Sequence, residues 1–246
     1  MLNTSRTPAI GFLYPGYSAE DDYPAYQRLL GDEVTLRLTH TLMREDAHRV
    51  DALLDVGGAD VLAPGARELR NQGIDAIVWA CTSGSFVFGW DGATEQAQAV
   101  GAAAGVPASS TSFAFVHAAR TLGVRRIAIA ATYPQDVAER FDAFLTHGGI
   151  EVTSLASRGI VTAAEVGKLD PDEAVEFVAA NDHPDAEAVL VPDTALHSAG
   201  LVQQLEQRLG KPVLCANQVS VWEGLRLAGH PADRPGLGAL FMAGAG

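Results

Sequence analysis

Cys81 is the first residue whose type and position suggest chemistry. It directly follows the apolar run at residues 76–80, which predicts that its thiol lies at the end of a buried strand. Thr82 and Ser83 come next, so hydroxyl groups and backbone N–H groups are expected beside the sulfur. N–H groups oriented in this way bind a carboxylate without an arginine or a lysine. The segment therefore predicts a thiol next to a small anionic substrate, with a cysteine that only packs in the core as the alternative.

Asp193 occupies a similar position in the second half of the chain. It follows the apolar run at residues 189–192, and Thr194 after it would offer its N–H to a ligand. Proton donation to one face of a carbon and removal from the other face is what racemisation or isomerisation without a cofactor requires. A thiol and a carboxylate on equivalent strands would meet this requirement, so Cys81 and Asp193 are predicted to be the catalytic pair. The alternative is that Asp193 caps the helix that follows it.

Several polar residues near the ends of other apolar runs are weaker candidates. Tyr14 and Tyr133 each precede a proline, and their hydroxyls would donate hydrogen bonds to a substrate carboxylate, or their rings would pack beneath the site. Asn217 would support the site from behind or cap a helix. Cys215 lies within an apolar run and is expected to pack in the core, whereas the segment Asp21-Asp22-Tyr23-Pro24 is expected to begin a helix on the surface.

The elements that must position these residues alternate along the whole chain. Short apolar runs are separated by stretches of helical periodicity, which is typical of βα units around a parallel sheet. Pro134 opens one helix, Asp170 caps another that runs through residue 180, and Gly210 ends a third. Strands are predicted at residues 9–14, 34–38, 76–80, 127–131, 152–155, 188–191 and 212–216.

The two halves of the chain repeat one pattern. A Tyr-Pro pair recurs in both halves, and Cys81 aligns with Asp193. Two similar α/β lobes with parallel sheets are therefore predicted, at residues 1–122 and 123–246, with the C-terminal residues crossing back to the first lobe. Ligands of α/β sheets bind at the carboxyl ends of the strands. The active site is thus expected in the cleft between the lobes.

The composition limits the classes of partner. The chain of 246 residues has 17 Lys and Arg against 30 Asp and Glu, a net charge of −13, which repels nucleic acid and anionic membrane surfaces. No apolar run approaches the roughly 18 residues of a membrane span. Only two cysteines occur, so the chain is expected to be soluble, cytosolic and without disulfides. The glycines match no nucleotide-binding loop and the histidines match no metal-site spacing, so neither a cofactor nor a metal is predicted.

Five segments carry a resemblance to a known family. They are ACTSGS at 80–85, LGVRRIAIAATYPQDVAERFDAFL at 122–145, LEQRLGKPVL at 205–214, WEGLRLAG at 222–229 and RPGLGALF at 234–241. Together they resemble the maleate cis-trans isomerase and arylmalonate decarboxylase branch of the aspartate/glutamate racemase superfamily. The resemblance implies two Rossmann-like lobes related by pseudo-twofold symmetry, no cofactor, and chemistry at a carbon next to a carboxylate. It also allows a homo-oligomer.

The resemblance also implies roles for individual positions. Isomerases and racemases of this group have one cysteine in each lobe; the first of these positions falls on Cys81 and the second on Asp193. Arylmalonate decarboxylases have a small residue at the first position and their essential cysteine at the second. By the same resemblance, a substrate carboxylate would be bound by Thr82, Ser83, Tyr133 and the Thr194 N–H.

Three hypotheses for the function follow. The leading one is a cofactor-independent isomerase of a small dicarboxylic acid, in which Cys81 adds to a cis double bond as a thiolate while a protonated Asp193 serves as the acid. An ionised Asp193 would instead raise the pKa of Cys81 and weaken it as a nucleophile. The second, with Cys81 as proton donor, is an arylmalonate-type decarboxylase or a racemase of a 2-substituted carboxylic acid. The third is a relative that has lost catalysis and only binds diacids.

Overall fold

The computed structural model describes residues 7–230 and 234–243, which form two four-stranded parallel sheets. The first sheet contains β1 (Ala9–Pro15), β2 (Thr35–Thr41), β3 (Ala76–Trp79) and β4 (Ala108–Ser110), in the spatial order β2-β1-β3-β4. The second contains β5 (Arg126–Ala131), β6 (Glu151–Ser157), β7 (Ala188–Val191) and β8 (Val213–Cys215), in the order β6-β5-β7-β8. The two sheets have the same topology, and the predicted α/β fold of two similar lobes is confirmed.

All seven predicted strands are present, and their ends differ from the predicted ends by at most three residues. The strand that sequence reasoning missed is β4. Its sequence, Ala-Ser-Ser, contains no apolar run. It is a strand because its main chain pairs with β3, with Ala108 opposite Ile77. Pairing with a neighbour, rather than a local signal, therefore defines this element.

The helices lie between the strands, and their predicted end signals are confirmed. Asp170 accepts hydrogen bonds from the N–H groups of Asp172 and Glu173 and so caps its helix. Gly210 ends another helix in the left-handed conformation, with a φ of 66°. In the described residues the helices are α1 (Asp22–Leu30), α2 (Val50–Val56), α3 (Ala59–Asn71), α4 (Ser83–Phe86), α5 (Gly89–Ala104), α6 (Thr111–Leu122), α7 (Gln135–His147), α8 (Ala163–Val166), α9 (Pro171–Ala180), α10 (Val202–Leu209) and α11 (Ala216–Leu227).

One cluster of buried apolar side chains joins the two sheets. Phe12 of the first sheet and Leu190 of the second belong to the same cluster of buried side chains. Helix α11 follows β8 of the second sheet but packs against β3 and α6 of the first. Its Gly224 lies so close to β1 that a Cβ there would be 2.3 Å from Ile10 Cγ2. After β8, the chain therefore returns to the first sheet through α11.

The predicted boundary between the lobes falls between α6 and β5, where Gly123 ends α6 with a φ of 70°. The first predicted lobe begins with residues 1–6 and the second ends with residues 244–246. Both segments lie outside the described residues. Among the helices of residues 7–230 and 234–243, none has the length and apolar character that crossing a membrane requires.

Candidate active site

One small cavity lies where strands of both sheets end. Its volume is about 40 Å³, which is room for about three or four water molecules at roughly 10–15 Å³ each. Five of the predicted site residues line it: Tyr14, Cys81, Ser83, Asp193 and Thr194. The other two, Thr82 and Tyr133, are buried and do not line it. The topology therefore brings the predicted thiol and carboxylate, which are 112 positions apart, to one cavity.

The Cys81 thiol follows β3 and is only 5% exposed. The Gly84 N–H donates a hydrogen bond to Sγ at 3.3 Å, and Ser83 Oγ lies 3.8 Å from Sγ. Burial, reinforced by the negative charge of Asp193, raises the pKa of the thiol to about 11, against the opposing effect of the Gly84 N–H and the Ser83 hydroxyl. Cys81 is therefore a neutral thiol at neutral pH.

Asp193 follows β7, and both of its carboxylate oxygens accept hydrogen bonds. The Ala195 N–H donates to Oδ1 at 2.9 Å, and the hydroxyl of Thr132, at the end of β5, donates to Oδ2. These two hydrogen bonds fix the orientation of the carboxylate. The next helix, α10, begins only at Val202, so Asp193 does not cap it. Neighbouring strands of the second sheet thus orient the Asp193 carboxylate towards the cavity that it shares with Cys81.

Tyr14 and Tyr133 hold the main chain on both sides of Asp193. The Tyr14 hydroxyl donates to Thr194 O at 2.8 Å, and the Tyr133 hydroxyl donates to Pro192 O at 2.5 Å. Burial raises the pKa of both phenols. In this structure, then, both phenolic hydrogens are donated to backbone carbonyls of the segment that carries the carboxylate.

Thr82 contributes an unpaired polar group next to Cys81. Its side chain is completely buried, and its Oγ1 makes no hydrogen bond with any described residue. The Thr82 and Ser83 hydroxyls lie near the Tyr133 phenol and partly offset the rise in its pKa that burial causes. An unpaired buried hydroxyl carries a free-energy cost that a hydrogen bond to a ligand removes. The Thr82 side chain does not line the cavity, so the anion-binding role predicted for it stays a prediction.

Sequence reasoning missed the role of Asp22. Helix α1 begins there as expected, but the prediction that this residue lies on the surface was wrong, because Asp22 is only 5% exposed. Its Oδ2 accepts hydrogen bonds from Ser198 N–H at 2.7 Å and from Asn217 Nδ2 at 2.9 Å. Asn217 Nδ2 lies within 3.2 Å of Thr194 O as well. A carboxylate of the first lobe thus anchors the segment after Asp193, and no local signal distinguishes it from its neighbour Asp21.

The loop between β2 and α2 closes the cavity. Its Asp46 accepts a hydrogen bond from the N–H of Ala163 at 2.7 Å, at the start of α8 in the second lobe. The His48 N–H donates to Val161 O at 2.7 Å, and His48 lines the cavity. These hydrogen bonds tie the loop to the opposite lobe over the predicted catalytic pair.

Acidic side chains dominate the charge of the cavity. Glu45 and Asp46 line it together with Asp193, and no described lysine or arginine does. An anionic substrate would therefore be held by N–H and hydroxyl groups. Within the described part of the chain there is no group of three or more His, Cys, Asp or Glu side chains placed to hold a metal ion.

Comparisons with known proteins agree with this geometry. A family model described as arylmalonate decarboxylase matches residues 54–241. An arylmalonate decarboxylase from Bordetella bronchiseptica is 34% identical over 179 residues, which are 72% of this chain and 75% of that protein. A maleate isomerase from Geobacillus stearothermophilus is 32% identical over 136 residues, 55% of this chain and 54% of that one.

A solved structure of a doubly substituted arylmalonate decarboxylase in its liganded form superimposes with a TM-score of 0.85. The two sequences are 29% identical, and the match covers 96% of this chain and 99% of that one. The predicted resemblance to the isomerase and decarboxylase branch is therefore confirmed, and the chain is an enzyme of that branch. Because the family model matches most of the chain and the Bordetella bronchiseptica protein is 34% identical to it, the chain belongs to the arylmalonate decarboxylase family.

Proposed function

We propose that the chain catalyses the cofactor-independent decarboxylation of a malonate-type diacid, with Cys81 as the proton donor. The observation that carries this proposal is the buried Cys81 thiol with a pKa of about 11, in a cavity shared with the Asp193 carboxylate. At pH 7 such a thiol is almost entirely protonated. A neutral thiol donates a proton, whereas addition to a double bond needs a thiolate. This balance favours the decarboxylase over the leading sequence hypothesis of an isomerase.

The hydrogen bonds of Asp193 point in the same direction. The isomerase route needs a protonated Asp193 that serves as the acid. Both oxygens of Asp193 instead accept hydrogen bonds, from the Thr132 hydroxyl and from the Ala195 N–H. A charged group in this place disfavours a second carboxylate next to it, and loss of carbon dioxide removes that repulsion.

In the proposed reaction, each polar group near Cys81 has a role. Cleavage of the bond between the α carbon and the leaving carboxylate leaves an electron pair on an enediolate formed with the other carboxylate. The Thr82 and Ser83 hydroxyls and the Thr194 N–H would stabilise this enediolate. Cys81 then gives its proton to the α carbon. The resulting thiolate accepts a hydrogen bond from the Gly84 N–H and recovers a proton from water.

Isomerisation of a small cis diacid is the second candidate. The cavity of about 40 Å³ is closer in size to a four-carbon diacid than to an aryl-substituted one. The same N–H of Gly84 would stabilise a thiolate at Cys81 once the proton has left. A relative named as a maleate isomerase also supports this candidate. Racemisation of a 2-substituted acid would use Cys81 and Asp193 as acid and base on opposite faces.

Proton NMR of the purified enzyme in deuterated buffer tests the proposal. Phenylmalonate and maleate are supplied separately. Conversion of phenylmalonate to phenylacetate with one deuterium on its methylene carbon is the expected result. Fumarate from maleate, with phenylmalonate unchanged, would establish the isomerase instead. Binding of either diacid without any product would refute both the decarboxylase and the isomerase and would leave the racemase and the diacid-binding relative.

Two cysteine variants assign the proton donor. Cys81→Ala removes a general acid and is expected to lower kcat at least about a hundredfold. Cys215→Ala is the matched control, because Cys215 is the other buried thiol and does not line the cavity. This control is expected to retain kcat within about twofold. Full activity of Cys81→Ala would refute the role of Cys81 in any of these reactions.

The configuration of the product gives an independent check. Cys81 lies in the first lobe, whereas the resemblance places the essential cysteine of arylmalonate decarboxylases in the second. The proton should therefore arrive from the opposite face. With 2-methyl-2-phenylmalonate as substrate, chiral chromatography should show the enantiomer of 2-phenylpropanoate opposite to the one that the Bordetella bronchiseptica enzyme forms in a parallel reaction. The same enantiomer from both enzymes would contradict proton delivery by Cys81.

A further inference from the structure

A second cavity lies between helices α3 and α5, and it shares no lining residue with the active-site cavity. Its volume is about 290 Å³. Leu62, Phe88, Ala99 and Val100 contribute apolar surface to its walls. An apolar cavity of roughly 150 Å³ is already large enough to hold a benzene ring. The second cavity therefore has room for a small aromatic molecule.

Gln96 supplies the polar group of this cavity. Its Nε2 lies 2.8 Å from both Gly57 O and Gly84 O. Because both neighbours are hydrogen-bond acceptors, the nitrogen must face them, and this determines the orientation of the amide. The other amide atom, Oε1, is buried and has no hydrogen-bond partner among the described residues. A ligand with one hydrogen-bond donor would satisfy this acceptor.

Gln96 also connects the cavity with Cys81. Gly84 accepts a hydrogen bond from Gln96 at its carbonyl and donates its own N–H to Cys81 Sγ at 3.3 Å. A Cβ on Gly57 would lie only 2.2 Å from Gly84 O, so the two backbone segments are in direct contact. A ligand that hydrogen-bonds to Gln96 therefore acts on the carbonyl of the residue whose own N–H contacts the sulfur.

We infer that this cavity binds a small, neutral, largely apolar molecule that carries one O–H or N–H donor, and that its occupancy changes the reactivity of Cys81. The walls provide apolar contact, and Gln96 Oε1 provides the acceptor for the donor. Glu95, an exposed residue, also lines the cavity and repels anions. Carboxylates that suit the active site are thereby excluded. The inference does not depend on which reaction the enzyme catalyses.

Ligand titrations followed by two-dimensional amide NMR of the full chain test the site. Benzyl alcohol is the probe, and benzyl methyl ether, which has no donor, is its matched control. The alcohol is expected to shift the signals around Gln96 and to bind about fivefold more tightly than the ether, the factor that one hydrogen bond supplies. Benzoate should leave these signals unchanged. Equal affinities for alcohol and ether, or no shift around Gln96, would overturn the proposal.

Two tryptophan substitutions locate the binding. Ala99 lines the cavity at the surface of α5, whereas Gln98, the preceding residue of the same helix, is exposed and does not line it. Ala99→Trp is expected to weaken benzyl alcohol binding at least tenfold, because the indole occupies the cavity. Gln98→Trp should bind the alcohol as the unmodified chain does. Equal binding by both variants would place the ligand elsewhere.

The link to Cys81 has its own measurement. In the Cys215→Ala variant Cys81 is the only remaining cysteine, so a thiol reagent reports on it alone. Saturating benzyl alcohol is expected to change the labelling rate at least twofold. The change should disappear when Ala99→Trp is added. A labelling rate that the alcohol leaves unchanged would refute the connection through Gln96 and Gly84.

Discussion

The buried carboxylate of Asp22 allows a quantitative test of how the two lobes are joined. Asp22→Ala removes the acceptor for Ser198 N–H at 2.7 Å and for the Ser198 hydroxyl at 3.1 Å. Ser198 is 1% exposed, so water does not replace the lost oxygen, whereas Asn217 Nδ2 keeps Thr194 O as an acceptor. At about 1.5 kcal/mol for each unsatisfied donor, the free energy of unfolding falls by about 3 kcal/mol. For a chain of this length the Tm is expected to fall by about 6–12 °C.

Asp21 is the matched control for this substitution. It is the adjacent residue and also bonds across the lobes, with its Oδ1 at 2.8 Å from His197 Nε2. Its side chain, however, is 76% exposed. Exposed ion pairs contribute less than about 1 kcal/mol, so Asp21→Ala is expected to lower the Tm by less than about 4 °C. Asp22→Asn retains one acceptor oxygen and should fall between the two alanine variants.

Differential scanning calorimetry of the three variants measures this order directly. Turnover gives a second readout, because Asp22 holds the segment that carries Asp193. Asp22→Ala is expected to lower kcat about tenfold at a temperature where it is fully folded, while Asp21→Ala leaves kcat unchanged. Equal Tm values for the two alanine variants would refute the reasoning, since they would show that burial of Asp22 does not determine its contribution.

Three further outcomes concern the active-site cavity. The Cys81 pKa of about 11 predicts that the alkylation rate of the Cys215→Ala variant rises about tenfold per pH unit between pH 7 and 10. Asp193→Asn removes a charge that raises this pKa, so alkylation at pH 8 should become faster. An unchanged or slower rate would contradict the charge effect. Thr132→Val removes the hydroxyl that donates to Asp193 and is expected to lower kcat about tenfold, whereas Thr132→Ser keeps the hydroxyl and should retain activity. Equal losses of activity in the two variants would show that Thr132 contributes by packing and not by its hydrogen bond. Asp46→Ala removes the hydrogen bond to the Ala163 N–H and is expected to speed alkylation of Cys81 severalfold. A rate equal to that of the unmodified chain would show that this hydrogen bond does not limit access of the reagent to Cys81.

Local signals in the sequence were sufficient for most of the fold. The period of apolar residues located seven strands, and residues such as Asp170 and Gly210 located helix ends, because these effects act over a few neighbouring positions. The strand β4 was beyond such signals. Its Ala108–Ser110 sequence has no apolar run, and only hydrogen bonding to β3 makes it a strand.

The internal repeat predicted part of the candidate site. The repeat placed Cys81 and Asp193 after equivalent strands, and in the folded chain both line one cavity. Their catalytic roles stay predictions. The repeat could not show that the Tyr14 hydroxyl bonds to Thr194 O, because that contact joins the two lobes rather than equivalent positions within them.

The sequence by itself determined the elements, their order, and the polar groups at the strand ends. Only the tertiary structure decided which of two adjacent aspartates is buried, and that Gln96 leaves its oxygen unpaired in a second cavity. The physical reason is the range of the interactions involved. Capping and periodicity are local, whereas Asp22 finds its donor Ser198 176 positions away, and only packing of the two lobes brings such partners together.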